Sequence, residues 1–132
     1  MNQFWYNKGI RGQMKNKNEA PKKILEVLFY KTSSGREPVK EWIKSLPKKA
    51  KKAIGDDIKT VQLGWPLGMP LVKHMGDHMF EVRINIPNGI ARVLFAVNNL
   101  AMILLHGFIK KTDQTPKKEL DTARKRLKNL ED

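Results

Sequence analysis

Polar and apolar residues alternate most regularly near the middle of the chain. Between Phe80 and Ile86 every second residue is apolar and the intervening ones are polar or charged, which predicts a half-buried β-strand. Pro87-Asn88-Gly89 is a tight-turn sequence, and the apolar segment of residues 90–97 predicts the return strand, interrupted by Arg92. Residues 100–108 are almost continuously apolar, as expected of a central strand covered on both faces.

Three other segments have the spacing of amphipathic helices. The first follows a capping-box sequence, Ser34-Gly35-Arg36-Glu37, and the second follows Pro47. The third follows Thr115, a predicted helix cap, and Pro116. The apolar positions are Val39, Trp42, Ile43 and Leu46 in the first, Ala50, Ile54, Ile58 and Val61 in the second, and Leu120, Ala123, Leu127 and Leu130 in the third.

The order of these elements predicts an α+β fold. Residues 24–30 form a first strand, the two helices after it form a helical hairpin, and a meander of three or four strands follows. Residues 71–75 are a predicted edge strand of that meander, and a helix ends the pattern. We expect residues 24–132 to be one domain. Residues 1–23, which are basic and poor in apolar residues after the sixth, are predicted to be a flexible tail.

The charge changes this picture of an ordinary small domain. The chain has 132 residues, with 26 Lys and Arg against 13 Asp and Glu, a formal net charge of +13. Such an excess predicts a polyanionic partner: nucleic acid, an anionic membrane or an acidic protein. No apolar run reaches the roughly 18 residues of a membrane span, and no signal peptide is visible, so we expect a cytoplasmic protein.

The residues available for catalysis are few. The absence of cysteine excludes disulfides, thiolate zinc sites and a cysteine nucleophile. His74 and His78 lie in a predicted strand and turn, without the helical spacing of a metal motif, so we predict neither metal nor cofactor. Two arginines on neighbouring strands remain. Arg83 is either a functional cation or part of a solvated face, and Arg92 is either functional or paired with Glu81.

A further basic group follows the last predicted strand. His106 lies near the end of that strand and is either a catalytic residue or a hydrogen-bonded core histidine. Lys110 and Lys111 come next, either in a functional loop or in a solvated one. Arginine and lysine without a metal or nucleophile suit phosphate chemistry, because RNA supplies its own nucleophile, the 2′-hydroxyl. Metal-free RNA cleavage therefore fits these residues, although it does not follow from them uniquely.

These motifs together resemble a known family. The strand pair of residues 80–94, the segment His106-Gly107-Phe108-Ile109-Lys110-Lys111-Thr112, and Thr115-Pro116 occur in one register. Gly35-Arg36-Glu37-Pro38-Val39 matches at the first helix. The combination resembles the phage-derived HigB-like branch of the RelE/ParE toxin superfamily and covers about residues 24–130. The resemblance implies a RelE-like fold, with an N-terminal strand and helical hairpin packed on a mainly antiparallel sheet of four or five strands, plus a C-terminal helix.

The resemblance also implies a function. The chain would be the toxin of a type II toxin-antitoxin system, a ribosome-dependent endonuclease that cuts mRNA without metal through attack of the 2′-hydroxyl. Its partners would be a helix-turn-helix antitoxin of the HigA type, the ribosome and mRNA. The resemblance places Arg83 and Arg92 on the family's sheet arginines, and Lys110 and Lys111 on its basic segment. The expected catalytic residues are Arg83, Arg92, Lys111 and His106, and the expected RNA-binding residues are Lys73, His74, Lys110, Lys48 and Lys52.

This chain departs from RelE proper at two places. The C-terminal tyrosine near the RelE site has no match, and Met79 and Glu81 stand where RelE carries lysines. His106, His74 or a lysine is then left to act as general base. Two other functions stay open: a ParE-like toxin that binds gyrase, and a non-catalytic basic RNA-binding protein. The set of Arg83, Arg92, Lys110 and Lys111 suits a phosphate site and argues against the gyrase alternative.

Overall fold

The computed structural model describes residues 24–110 and 114–131, so the predicted flexible tail of residues 1–23 lies outside the described residues. Within the described residues, five strands and three helices follow one another in the order that the sequence predicts. They are β1 (Glu26–Phe29), α1 (Pro38–Lys44), α2 (Lys48–Gly64), β2 (Val72–Gly76), β3 (Met79–Ile86), β4 (Gly89–Asn98), β5 (Ala101–Lys110) and α3 (Lys117–Glu131).

The strands form one mostly antiparallel sheet in the order β1-β5-β4-β3-β2. β2, β3, β4 and β5 are a meander, and β1 adds to the far side of β5 in parallel, with Glu26 opposite Ala101. The predicted α+β class and its RelE-like arrangement are confirmed. β5 lies between β1 and β4, which explains why its first five residues are all buried and apolar.

Helices cover both faces of the sheet. α1 and α2 pack on one face, here called the hairpin face, where Val82, Val93 and Leu104 meet Ile54 and Ile58 of α2 in one apolar core. α3 packs on the other, here called the α3 face. A second core, built from the alternate strand residues and from Ala123 and Leu127 of α3, lies beneath that helix. Because successive residues of a strand point to opposite faces, the strands contribute side chains to two separate cores.

The β3–β4 hairpin has the short turn that its sequence predicts. Ile86 pairs with Gly89, which leaves Pro87 and Asn88 as a two-residue loop, and Asn88 has φ of 67°. Asparagine tolerates this left-handed conformation better than most residues. The short loop fixes the register of the two strands, and with it the relative positions of the two arginines.

The predicted capping box of α1 is wrong. The helix begins at Pro38, and its N-cap residue is Glu37, which makes no side-chain cap hydrogen bond. Ser34 is instead part of a turn in which the Arg36 amide donates to the Thr32 hydroxyl, 3.0 Å away. The Thr32 hydroxyl therefore holds the segment before the helix, and Ser34 lies three residues before the N-cap residue Glu37.

α1 approaches β5 closely at Gly107. The ring of Trp42 lies against this glycine, and a Cβ atom built there would overlap the ring. The glycine in the His106-Gly107-Phe108 sequence is therefore explained by packing on the hairpin face, because only a residue without a side chain leaves room for the indole.

Candidate functional site

Two arginines lie side by side in the sheet. Arg83 on β3 is directly opposite Arg92 on β4 in the antiparallel ladder. Residues that are directly opposite in such a ladder project from the same face. This is the α3 face, because Leu94, two residues after Arg92, belongs to the core beneath α3. The two arginine side chains therefore project from the same face of the sheet. The short turn between β3 and β4 fixes the register that places them opposite each other.

Arg92 is completely buried, and a hydroxyl connects it to a buried carboxylate. Its Nη1 donates to Thr115 Oγ1 at 3.3 Å, and Thr115 Oγ1 in turn donates to Oε2 of Glu81. Glu81 is only 2% exposed. The sequence left open an ion pair between Arg92 and Glu81; in the structure the Thr115 hydroxyl bridges the two groups. A buried carboxylate near a buried guanidinium offsets part of the desolvation cost of both.

Arg83 differs from Arg92 in its access to solvent. Its side chain is half-buried, whereas Arg92 is 0% exposed, although the two are neighbours in the ladder. The pair thus combines one arginine that is partly open to solvent with one that is enclosed in the protein interior.

His106 is held by α3 through both of its ring nitrogens. Nε2 lies 2.8 Å from Glu119 Oε1, and Arg126 Nη1 lies 3.3 Å from Nδ1. An arginine only donates, so Nδ1 accepts from it, and in the neutral ring Nε2 carries the proton that is donated to Glu119. The ring also stacks on Phe108, with centroids 5.7 Å apart. His106 therefore has the contacts of a hydrogen-bonded structural histidine.

Arg126 joins this histidine to the backbone and to Tyr30. Its Nη1 donates to the carbonyl oxygen of Leu105 at 2.8 Å, and its guanidinium lies 5.6 Å from the centre of the Tyr30 ring. Burial lowers the pKa of Arg126. Asn129, one turn further along α3, donates to the Tyr30 hydroxyl at 3.0 Å. These contacts fix the C-terminal part of α3 on β5 and on the end of β1.

Two of the lysines predicted to bind RNA lie on the same face as the arginines. Lys73 is opposite Glu81 on the edge strand β2 and is exposed. Lys110 is opposite Ile90 at the end of β5, two residues beyond Phe108, which is itself opposite Arg92. The α3 face thus has a buried arginine and a half-buried arginine at its centre, with a lysine to each side.

The other predicted residues are not part of this group. His74 projects from the opposite face, where its ring lies 5.0 Å from that of Phe80. Lys48 and Lys52 are on α2, on the hairpin face, and Lys52 Nζ lies 2.9 Å from Asp56 Oδ2. Lys111 lies outside the described residues.

Four contributors to this region were not predicted as site residues: Glu81, Thr115, Glu119 and Arg126. Alternation does place Glu81 on the same face as Arg83, two residues away. The seven-residue spacing of Glu119 and Arg126 likewise puts them on one side of a helix. Nothing in the sequence indicates that Thr115 would contact the sheet, because that contact depends on how α3 docks.

Within residues 24–110 and 114–131, no group of three or more His, Asp or Glu side chains is arranged to hold a metal ion. In the same residues, no helix combines the length and the apolar character needed to cross a bilayer.

A family model matches residues 41–128, two thirds of the chain, and is described as phage derived protein Gp49-like (DUF891). The chain belongs to this Gp49-like family. The family is phage-derived and associated with RelE and other toxin-like proteins, which confirms the broader resemblance; the HigB-like branch stays a prediction. The matched residues include both arginines, Thr115 and the residues that hold His106. A search of curated proteins gave no match.

Proposed function

We propose that this Gp49-like protein is the toxin of a toxin-antitoxin pair and acts as a ribosome-dependent mRNA endonuclease, cutting RNA without metal by attack of the 2′-hydroxyl. The observation that carries the proposal is the opposed pair of Arg83 and Arg92 on one sheet face. Guanidinium groups present planar fork-like donors that match the oxygens of a phosphate, and like charges placed directly opposite one another are otherwise unfavourable in a sheet.

The two arginines have different parts in this proposal. Arg83, which solvent reaches, contacts the scissile phosphate and stabilises the charge that develops on it in the transition state. Arg92 is a positioning residue, because it is buried and is tied to Glu81 through Thr115. It adds positive potential beneath the phosphate from a fixed point, at no cost of reorganisation during the reaction.

Proton transfer is assigned to the lysines of this face. Both ring nitrogens of His106 are hydrogen-bonded to α3, and His74 projects from the hairpin face. We therefore assign neither histidine a role in proton transfer. Lys73 and Lys110 lie on the same face as the arginines, and Lys111 follows directly in the chain. A lysine amine can act as a general base when it lies within hydrogen-bond reach of the proton that it takes.

The test is single-turnover cleavage of mRNA on programmed ribosomes. Arg83→Ala is expected to lower the rate by about 10²–10³, the scale of losing one transition-state donor. Arg83→Lys is expected to recover only part of it, since an ammonium cannot hold two oxygens as a fork does. The matched control is Arg36→Ala, an exposed arginine that is paired with Glu41 before α1. Ribosome binding, measured by co-sedimentation, is expected to change little.

Wild-type cleavage by Arg83→Ala would show that the site is misassigned. Mapping of mRNA 5′ ends after induction, with and without translation, tests the function itself. New ends that depend on translation are the expected result. Growth arrest with filamentation and intact mRNA would instead favour a gyrase-binding toxin, and growth without any arrest would favour a non-catalytic RNA-binding protein.

A further inference from the structure

A cavity of about 440 Å³ lies at the opposite face from the arginines, between the start of α2 and the β3–β4 turn. Its floor is apolar and its rim carries two lysines; we call it the α2 groove. The residues that matter here are Ala50, Ile86, Pro87 and Ile109 of the floor and Lys48 and Lys49 of the rim. Ile109 is 42% exposed, one of the few large apolar side chains of the described residues that is open to solvent.

The lysines beside the groove lie at the N-terminus of α2, where the helix dipole disfavours positive charge. Lys48, Lys49, Lys51 and Lys52 all lie in the first five residues of α2, and its first turn has no acidic residue. The N-cap residue is Pro47, which provides no side-chain hydrogen bond. Cations at a helix N-terminus interact unfavourably with the positive end of the helix dipole. A partner that brings carboxylates to this end would relieve both the dipole and the mutual repulsion of the lysines.

We propose that the α2 groove binds an acidic amphipathic segment of a partner protein, with an apolar side chain on Ile86 and Ile109 and flanking carboxylates on Lys48 and Lys49. The apolar floor favours a protein over RNA. A phosphate backbone would meet the lysines but would leave the floor uncovered, and the described residues that line the groove include no aromatic ring on which a base could stack. Charge complementarity together with a shaped apolar floor is typical of a helix-in-groove interface.

This surface is separate from the proposed cleavage site. It lies on the hairpin face, next to the β3–β4 turn. The Ile86–Gly89 pair beside that turn is three steps along the ladder from the Arg83–Arg92 pair. At about 3.4 Å per residue, this is roughly 10 Å along the strands. A segment in the groove that continues over the turn would come close to Arg83. The binding itself does not rest on any cleavage activity, so the two proposals can fail independently.

The experiment is a titration of the folded protein with a synthetic helical peptide of sixteen residues that has leucines on one face and glutamates on the other. Amide chemical shifts are expected to move at Ala50, Ile86 and Ile109. Lys48→Glu with Lys49→Glu is expected to weaken binding at least about tenfold, equivalent to about 1.4 kcal/mol. The matched control, Lys51→Glu with Lys59→Glu, changes the net charge equally at two other exposed positions of the same helix and is expected to have a much smaller effect.

The apolar half of the interface has its own controls. Ile109→Ser is expected to weaken binding by about tenfold, the order of losing two buried methylene groups. Leu63→Ser, at another exposed apolar residue, is expected to leave it unchanged. Thermal unfolding of each variant shows that it is folded. Absence of binding, equal losses from the two lysine pairs, or equal affinity for a peptide with serine in place of leucine would each overturn the proposal. So would binding of a poly(U) oligonucleotide that depends on Lys48 and Lys49 and not on Ile109, because the groove would then be an RNA surface.

Discussion

α1 and α2 cover the hairpin face with apolar side chains, whereas α3 covers the other face largely with polar ones. Val39, Ile54 and Val61 are at most 1% exposed and pack directly on strand residues. The described buried apolar residues of α3 are Ala123 and Leu127. Hydrogen bonds that involve Glu119 and Arg126, and those of Thr115 just before the helix, add polar contacts with the sheet. The comparison indicates that the hairpin face supplies most of the apolar stability and that the α3 face can hold charge in fixed positions.

The largest expected effect is on the buried charge of the α3 face. Arg92→Met removes the cation and leaves Glu81 buried, and breaking such a pair costs about 3–5 kcal/mol of unfolding free energy. Replacing both residues by Met is expected to recover much of the loss, because no buried charge is then left uncompensated. Urea unfolding of the two variants measures this. If Arg92→Met unfolds at the same urea concentration as the wild type, the buried charges do not stabilise this face.

A similar loss is expected from a single cavity on the hairpin face. Ile54→Ala removes a side chain that is fully buried under the sheet, and such truncations cost about 2–5 kcal/mol. Leu127→Ala, the matched truncation on α3, is expected to cost less, since its site is 8% exposed near the end of a helix and can relax. Equal losses of unfolding free energy in the two variants, measured by urea unfolding, would show that the apolar packing of the two faces does not differ in this way.

Smaller effects are expected at the hydrogen bond between α3 and His106. Glu119→Gln keeps the size of the side chain and removes its charge, and we expect a loss of about 0.5–1.5 kcal/mol. Amide hydrogen exchange is expected to become faster in the first turns of α3, while α2 keeps its protection. Asp121→Asn is the control, because this acidic residue is exposed on the same helix. Faster exchange throughout the protein would mean that α3 does not open separately.

The smallest effect concerns an acidic pair on α2. Burial, and then the charge of Asp56, raises the pKa of Asp57. A raised native pKa means that the ionised form is disfavoured in the folded state, so this destabilisation is present at neutral pH. It disappears as the pH falls below the ordinary pKa of aspartate. Asp57→Asn is therefore expected to raise the melting temperature slightly at pH 7 and not at pH 3. A gain that is equal at both pH values would rule out a charge effect.

The sequence predicted the strands well where one face had to be apolar. Alternation from Phe80 to Ile86 and the short turn after it determine the β3–β4 register, and this register places Arg83 opposite Arg92. The same alternation shows that Lys73 and His74 cannot share a face, although both were predicted to bind RNA. The sequence could not predict the bridge between Arg92 and Glu81, because it is made by Thr115, which reaches the sheet only when α3 docks. The capping box failed for a similar reason, since Thr32 supplied a local competing hydrogen bond.

The parallel pairing of β1 with β5 has a consequence for synthesis of the chain. Glu26 pairs with Ala101, so the first strand must wait for the last one to leave the ribosome before the sheet is complete. Thr115, which ties down Arg92, emerges later still. Contacts this distant in the sequence form slowly and cannot form on a partial chain. A nascent chain that already carries both arginines therefore lacks their final arrangement until residue 115 has been synthesised and α3 has docked.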